Sequence, residues 1–410
     1  MQEARALCIV GLPPSDLSIY KMILNQCAAC ATELGLSLGK KCGRCSTRYC
    51  GPECQVQHWK EGGHDQLCKP IKKAGGAEQY NANKRYTEAV TVAAEACAED
   101  TKGQTCYICT QKLHWKTKEG LVRGCSCRGT AGFAHVSCLA EQAKILMEEA
   151  EANNLGIKVM DERFARWREC SLCEQSYHGV VKHALGWACW KTYVGRPEAD
   201  ELRGMAISVL GLGLSAARYN EDALSVREAE LSMMRRLGAD ERNILAAQSN
   251  LASTYRTLGR LEESLLLRQE VYSRRLKLSG EEHVETIREA ICYALNLIGS
   301  SRFEEAKALL RRTMPVARRV LGDTHEYTLR LRWDYAQTLY KHDGATLDDL
   351  REAVTTLEDT QRTARRVMGG AHPITTGIEV SLRNARAVLA AREGDDVSVV
   401  RAALDAMKAT

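Results

Sequence analysis

The sequence predicts a mainly α protein in two parts: two small cysteine-rich modules, then a superhelical array of repeated helix pairs. Three observations carry that prediction. Fourteen of the 18 cysteines, all but Cys8, Cys97, Cys189 and Cys292, fall in closely spaced groups between Cys27 and Cys173. From about residue 200 the composition turns to Leu, Ala, Glu and Arg, with Cys292 as its one cysteine. Short landmarks recur through this second part at a fixed period.

Bulk properties narrow the class. A chain of 410 residues exceeds one ordinary core, so two or three domains are expected. The net charge of +5 is spread over 57 basic and 52 acidic residues, which argues against a nucleic-acid partner. The basic run Lys69-Pro70-Ile71-Lys72-Lys73 reads as a solvated linker. The start, MQEARALCIVGLPP, has an early acid and a short apolar run, unlike a secretory leader. The longest mostly apolar stretch, Ala206 to Ala217, is about half the length of a membrane span. The expectation is a soluble chain, cytoplasmic or nuclear, with neither nucleic acid nor membrane as partner. There, clustered cysteines indicate metal rather than disulfides. The isolated cysteines read as small buried hydrophobes, and no catalytic residue is expected.

Composition divides the chain into an N-terminal segment (1–22), a first cysteine-rich module (23–70), a helical linker (71–104), a second cysteine-rich module (105–195) and the repeats (196–410). The first module has few aliphatic residues and cannot bury enough apolar surface to fold unaided. Its string offers Cys27, Cys30, Cys42, Cys45, Cys50, Cys54, His64 and Cys68. A Cys-x-x-Cys knuckle aims two sulfurs at one ion, and structural zinc takes four such ligands. Eight ligands therefore make two sites. The spacings of Cys50 to Cys54 and of His64 to Cys68 suit one face of a helical turn, so each pair would complete a site begun by a knuckle.

With Tyr49, Cys50, Cys54, Gln55, His58 and Trp59 in register, this string resembles the MYND zinc finger. The resemblance implies interleaved sites, with Cys27, Cys30, Cys50 and Cys54 on one zinc and Cys42, Cys45, His64 and Cys68 on the other. It gives His58 a packing role and implies protein binding without chemistry.

The second module offers Cys106, Cys109, Cys125, Cys127, His135, Cys138, Cys170 and Cys173. The narrow Cys125-x-Cys127, with the run Arg128-Gly-Thr-Ala-Gly-Phe133, resembles the RING-CH (RING variant) finger more than the plant-homeodomain finger. The resemblance implies a cross-brace: Cys106, Cys109, His135 and Cys138 on one ion, Cys125, Cys127, Cys170 and Cys173 on the other. Four zinc ions per chain follow. It also implies a ubiquitin ligase, which holds a ubiquitin-conjugating enzyme through apolar residues beside the zinc loops, here Ile108 and Leu172. Two positions depart from the family: Gln142 stands where a Trp is common, and Glu174 where active fingers often carry a basic residue. The long gap before Cys170 reads as a helix broken at Asn153-Asn-Leu-Gly156, then a second helix ending at Phe164 and Trp167. HALGWACWKTY reads as a helix packed on the finger, and His178 and His183 as packing residues.

In the second part, Gly238, Gly280 and Gly322 are 42 residues apart, as are Arg218, Arg260 and Arg302. Gly369 follows 47 residues later, after a five-residue insertion near Lys341 to Leu347. Within a period, Leu245, Leu251, Tyr255 and Leu258 line one helix, and Leu265, Leu266, Val271 and Leu276 the next. Helix pairs at such a period stack into an array. The Gly-x-x-His-x-x-Thr turns at Gly280, Gly322 and Gly369 resemble the tetratricopeptide repeats of kinesin light chains, which implies a protein-binding surface. His283, His325 and His372 read as capping or packing residues. Two functions follow: a ligase whose repeats choose the substrate, or a non-enzymatic adaptor.

Overall fold

Gly, Pro and polar residues cut the chain into short amphipathic helices, and fifteen α-helices lie among the described residues. The computed structural model describes residues 27–30, 32, 34, 39–370 and 372–393. The expected segment 1–22, with Cys8, and the end of the repeats beyond 393 lie outside them. The chain divides into two compact units, between Ala239 and Asp240. Among the described residues no helix is long and apolar enough to cross a membrane.

The first unit opens with a short hairpin, β1 (Lys40–Lys41) paired antiparallel to β2 (Arg48–Tyr49). Helix α1 (Pro52–Lys60) starts on Pro52, whose fixed φ suits a first helical position. Helix α2 (His64–Ala74) ends at Gly75, in the left-handed region. Around them Leu34, Tyr49 and Ile71 are the buried non-cysteine apolar residues, too few to hold the module alone. The run Lys69 to Lys73, expected as a solvated linker, is instead the last part of α2. Cys68 and Ile71, three apart, face inward, and the lysines stay outside.

Helix α3 (Ala77–Ala96), expected as a linker, is a core element. Ala82, Tyr86, Ala89, Val90 and Ala93 are buried at helical spacing, and α3 packs on α6 (Gly179–Tyr193). Helix α6, the HALGWACWKTY segment, is buried on nearly every side, which its apolar residues all round require. It meets α7 (Glu201–Ala216) at a glycine contact, where a Cβ on Gly213 would lie 2.8 Å from the Lys182 carbonyl. The gap before Cys170 is filled by α4 (Val136–Ala152), α5 (Ile157–Phe164) and a 3-10 turn at Ala165–Trp167. The break falls at Asn153 to Gly156, as the sequence predicts. Helices α7 and α8 (Asn220–Arg236), the first pair of the array, share this core, so it runs unbroken across position 195/196.

The second unit stacks α9 (Glu241–Thr257), α10 (Leu261–Ser279), α11 (Val284–Gly299), α12 (Phe303–Leu321), α13 (Glu326–Tyr340), α14 (Leu347–Met368) and α15 (Pro373–Glu393), each on the next. Gly280, Gly322 and Gly369 end their helices at φ 77°, 87° and 86°, where a side chain is strained. The histidine three residues on then starts the next helix. Nδ1 of His283 accepts from the Glu285 amide at 3.2 Å and Nδ1 of His325 from the Tyr327 amide at 3.1 Å. His372 does the same for Ile374 at 3.2 Å. The recurring histidines are caps, a use of a side-chain acceptor that explains their period. Leu245, Leu251, Leu265 and Val271 are buried as expected, but Leu266 is 62% exposed. Consecutive helical residues point about 100° apart, so Leu265 and Leu266 cannot both face the core. The insertion near Lys341 to Leu347 is a turn that buries Ala345 and ends on Thr346, which caps α14 in a capping box with Asp349.

Candidate metal centres

Four Cys-x-x-Cys segments fold into one local shape. The amide of the first cysteine donates to the carbonyl five residues on: Cys27 to Thr32 at 2.8 Å, Cys42 to Thr47 at 2.8 Å, Cys106 to Gln111 at 3.0 Å and Cys170 to Gln175 at 3.0 Å. In three of them the residue after the second cysteine turns left-handed, with Ser46, Thr110 and Glu174 at φ 60°, 62° and 56°. Its amide returns to the first cysteine's carbonyl at 2.8–2.9 Å in all three. This tight turn brings both sulfurs to one side.

The knuckles gather with the remaining ligands into four groups: Cys27, Cys30, Cys50 and Cys54; Cys42, Cys45, His64 and Cys68; Cys106, Cys109, His135 and Cys138; Cys125, Cys127, Cys170 and Cys173. In each, the four ligand atoms lie within 4.8 Å of one another. A tetrahedral zinc with about 2.3 Å bonds sets sulfurs about 3.8 Å apart. The Cys42–Cys68 and Cys127–Cys170 sulfur pairs are each 3.8 Å apart, and Cys30–Cys50 3.5 Å, far longer than a disulfide. The donor set of thiols and one imidazole suits zinc. Four protein ligands per site close the coordination sphere, so these are structural sites rather than sites for activating water.

Cys50 precedes α1 and Cys54 lies in its first turn, whereas His64 and Cys68 share the inner face of α2. Electrostatics make the clusters unstable without a cation. The Thr32 hydroxyl and amide bring the Cys30 thiol down to about 6. Burial opposes ionisation of Cys42, yet His64 and nearby amides outweigh it and hold Cys42 at about 6. Its partner Cys68 is pushed up to about 12 by burial and by Cys45 and Cys42. Burial likewise raises Cys125 to about 11 and Cys138 further. Thiols packed this closely cannot all ionise unless a metal neutralises them.

The histidines present different nitrogens. Nδ1 of His135 is 3.3 Å from Cys109 Sγ and 3.6 Å from Cys138 Sγ, and its Nε2 donates to the Lys112 carbonyl at 3.3 Å. That outer bond leaves the Nδ1 lone pair facing the sulfurs. His64 instead turns Nε2 toward Cys45 Sγ, at 3.4 Å. His58 stands outside every cluster. Its ring stacks on His64 with centroids 5.0 Å apart, and its Nδ1 bonds the Tyr49 hydroxyl at 3.0 Å. Burial keeps it neutral. His178 and His183 join no cluster either, and Trp187 donates to Nε2 of His183 at 3.0 Å.

Three supports escaped the reading of spacing. A Cβ on Gly132, at φ 83°, would lie 2.6 Å from Cys127 Cβ, so the second glycine of the Arg-Gly-Thr-Ala-Gly-Phe run admits the ligand loop. Arg123 ties that loop by donating to the Gly129 carbonyl at 2.9 Å and lying over the Phe133 ring. Glu119 accepts from the Ser137 amide at 2.7 Å and hydroxyl at 2.8 Å, fixing the start of α4 beside His135 and Cys138. The motif glycine was visible in the sequence, but its target was not.

At the finger's surface, Ile108 is 37% and Leu172 51% exposed. Each follows the first cysteine of its knuckle by two and donates its amide to that sulfur at 3.4 Å. Tyr107 and Ser171, one residue earlier in each knuckle, share a 3.1 Å hydroxyl bond that joins the two loops. In the second unit an open groove between α10, α11 and α12 is lined by Tyr272, Tyr293, Leu297, Glu305, Leu309 and Arg312. The two tyrosine rings stack there, and Arg312 donates to the Tyr272 hydroxyl at 2.7 Å.

Comparison with known families gives three matches. A MYND finger matches residues 27–68, a RING-variant domain residues 106–155, and a tetratricopeptide repeat residues 244–285 and 294–327. The RING-variant match stops short of Cys170 and Cys173, which the fold brings to Cys125 and Cys127. The chain thus combines zinc-finger modules with protein-interaction repeats. Similar solved structures include a Podosopora anserina putative kinesin light chain with nearly identical TPR-like repeats. It is 18% identical, covering 57% of this chain and 98% of that one, with a TM-score of 0.38. BtubC (BKLC) from P. vanneervenii is 13% identical, covering 67% of this chain and 88% of that one, with a TM-score of 0.40. No curated protein sequence matches the chain.

Proposed function

We propose that this chain of a MYND finger, a RING-variant domain and tetratricopeptide repeats is a ubiquitin ligase. In this reading the RING-variant domain receives a ubiquitin-conjugating enzyme, and the repeats and MYND finger hold protein partners, among them the substrate. The observation that carries it is the pair Ile108 and Leu172: two exposed apolar side chains on zinc knuckles that are bonded to each other. Such residues gain little for the fold where they stand, and a rigid apolar pair beside metal loops suits a docking enzyme. The closed zinc sites leave the finger no reactive group. Its catalysis is positioning: holding the conjugating enzyme's thioester where a substrate amine can attack it.

The test is autoubiquitination by the full chain with a panel of conjugating enzymes. Zinc-dependent chains are expected, with Ile108→Ala reducing them about tenfold or more, as for loss of a central apolar anchor, at unchanged zinc content. Absence of Ile108-dependent chains across the whole panel would overturn the reading. A second reading, a non-enzymatic adaptor, draws support from Gln142 and Glu174. The left-handed Glu174 closes the last knuckle where a basic residue would favour ubiquitin contact.

A further inference from the structure

We propose that the turn following the Cys106–Cys109 knuckle is a peripheral membrane anchor, a Leu113 and Trp115 tip in a collar of lysines that docks on an anionic lipid surface. The segment Lys112-Leu-His-Trp-Lys-Thr-Lys118 alternates large apolar residues with cations. Trp115 is 69% exposed and Leu113 57%, and within residues 105–195 only Ile157, at the start of α5, is a more exposed large apolar side chain. Neither contributes to a core, so their exposure is a cost that the fold alone does not explain.

The tip is built to stay in place. His114 is its one buried side chain, and it anchors the turn from inside. Its Nδ1 accepts from the Thr117 amide at 3.2 Å and bonds the Thr117 hydroxyl at 2.8 Å. Its carbonyl accepts from the Lys118 amide at 2.9 Å, and its amide donates to Glu119 at 3.0 Å. Three backbone amides of the turn are therefore satisfied internally.

Charge identifies the occupant. Lys112, Lys116 and Lys118 are exposed and make no ion pair with a carboxylate among the described residues. The loop's own acid, Glu119, is turned inward onto Ser137 and the Thr117 hydroxyl. An apolar tip below a ring of cations matches the layering of a bilayer, acyl chains beneath anionic headgroups. Single-stranded nucleic acid is a poorer fit. It needs stacking faces along a groove, whereas Leu113 has none and the tip protrudes. The anchor lies on the surface and spans nothing. Three lysines near an anionic leaflet favour binding by roughly a hundredfold.

Flotation of the full zinc-loaded chain with vesicles tests this. The wild type is expected to float with vesicles of phosphatidylcholine plus phosphatidylserine, not with phosphatidylcholine alone, and to be released by added salt. Leu113→Ala with Trp115→Ala, and separately Lys112→Gln with Lys116→Gln and Lys118→Gln, should each lower binding about tenfold or more. Zinc content measured on the same samples shows that each variant is folded. Failure of the wild type to float would overturn the proposal, as would equal flotation of the Leu113/Trp115 variant. Retention on a single-stranded oligonucleotide or an acidic peptide, with none on vesicles, would overturn it too.

Discussion

The module around Tyr49 and the helix pairs from α9 to α15 are held together by different physics. The first buries cysteines, two histidines and three non-cysteine apolar residues, and its elements are two-residue strands and short helices. The second has one cysteine, Cys292, and buries a continuous row of leucines, isoleucines and alanines between neighbouring helices. In the fingers, stability is concentrated at four points, each an ion held by four side chains. In the repeats it is spread over many contacts, each worth little alone. A fingered region should fail all at once when one ligand goes, and a repeat unit should fail by degrees.

Cys125→Ser should give the largest effect. Structural zinc contributes on the order of 10–16 kcal/mol in small fingers, more than a domain's whole stability. The variant should lose bound zinc and the protease resistance of residues 105–195, while fragments of the second unit stay protected. Unchanged zinc content and protection would refute the cross-brace. Chelation should act in the same selective way.

Leu329→Ala sharpens the other side. Leu329 is fully buried in α13, and its loss should cost about 2–5 kcal/mol in urea unfolding of the second unit, with zinc content untouched. An equal loss of zinc would mean that the two units do not unfold separately.

Asp334→Asn should give the smallest effect and one that depends on pH. Burial raises the Asp334 carboxyl to about 6, against the pull of Arg330 at 3.0 Å. The native state therefore holds this proton more tightly than the unfolded chain, where the value is about 3.9. Stability from this group is greatest below about pH 4, falls as pH rises through 4 to 6, and stays lower above. Relative to wild type, Asp334→Asn should gain on the order of 2–3 kcal/mol between pH 4 and 7. Hydrogen exchange in α13 at the two pH values measures it, and a pH-independent difference would show that the carboxyl titrates normally.

Much of this molecule was legible in the chain because metal ligation and repetition are local codes. A Cys-x-x-Cys turn forms from its own backbone bonds, and the helix pairs recur because each glycine and capping histidine acts within a few residues. Leu266 departs from the expectation for a reason of the same scale, a fraction of a helical turn in phase, whereas the Lys69 to Lys73 run keeps its lysines exposed but belongs to α2 rather than to a linker. The helix expected at 71–104 is present as α3, and its packing depends on a longer-range partner. Its alanines look bland until α6 is packed against them.

By itself, then, the sequence determined which residues could hold metal, how many sites they make and where the helix pairs begin and end, since spacing alone limits what a short chain segment can reach. Only the tertiary structure decided that α3 and α6 form the core behind the second finger and that the two knuckles join through Tyr107 and Ser171. It alone decided that Leu113 and Trp115 are left outside. Whether an apolar side chain is buried depends on what packs against it, and those partners lie scores of residues away.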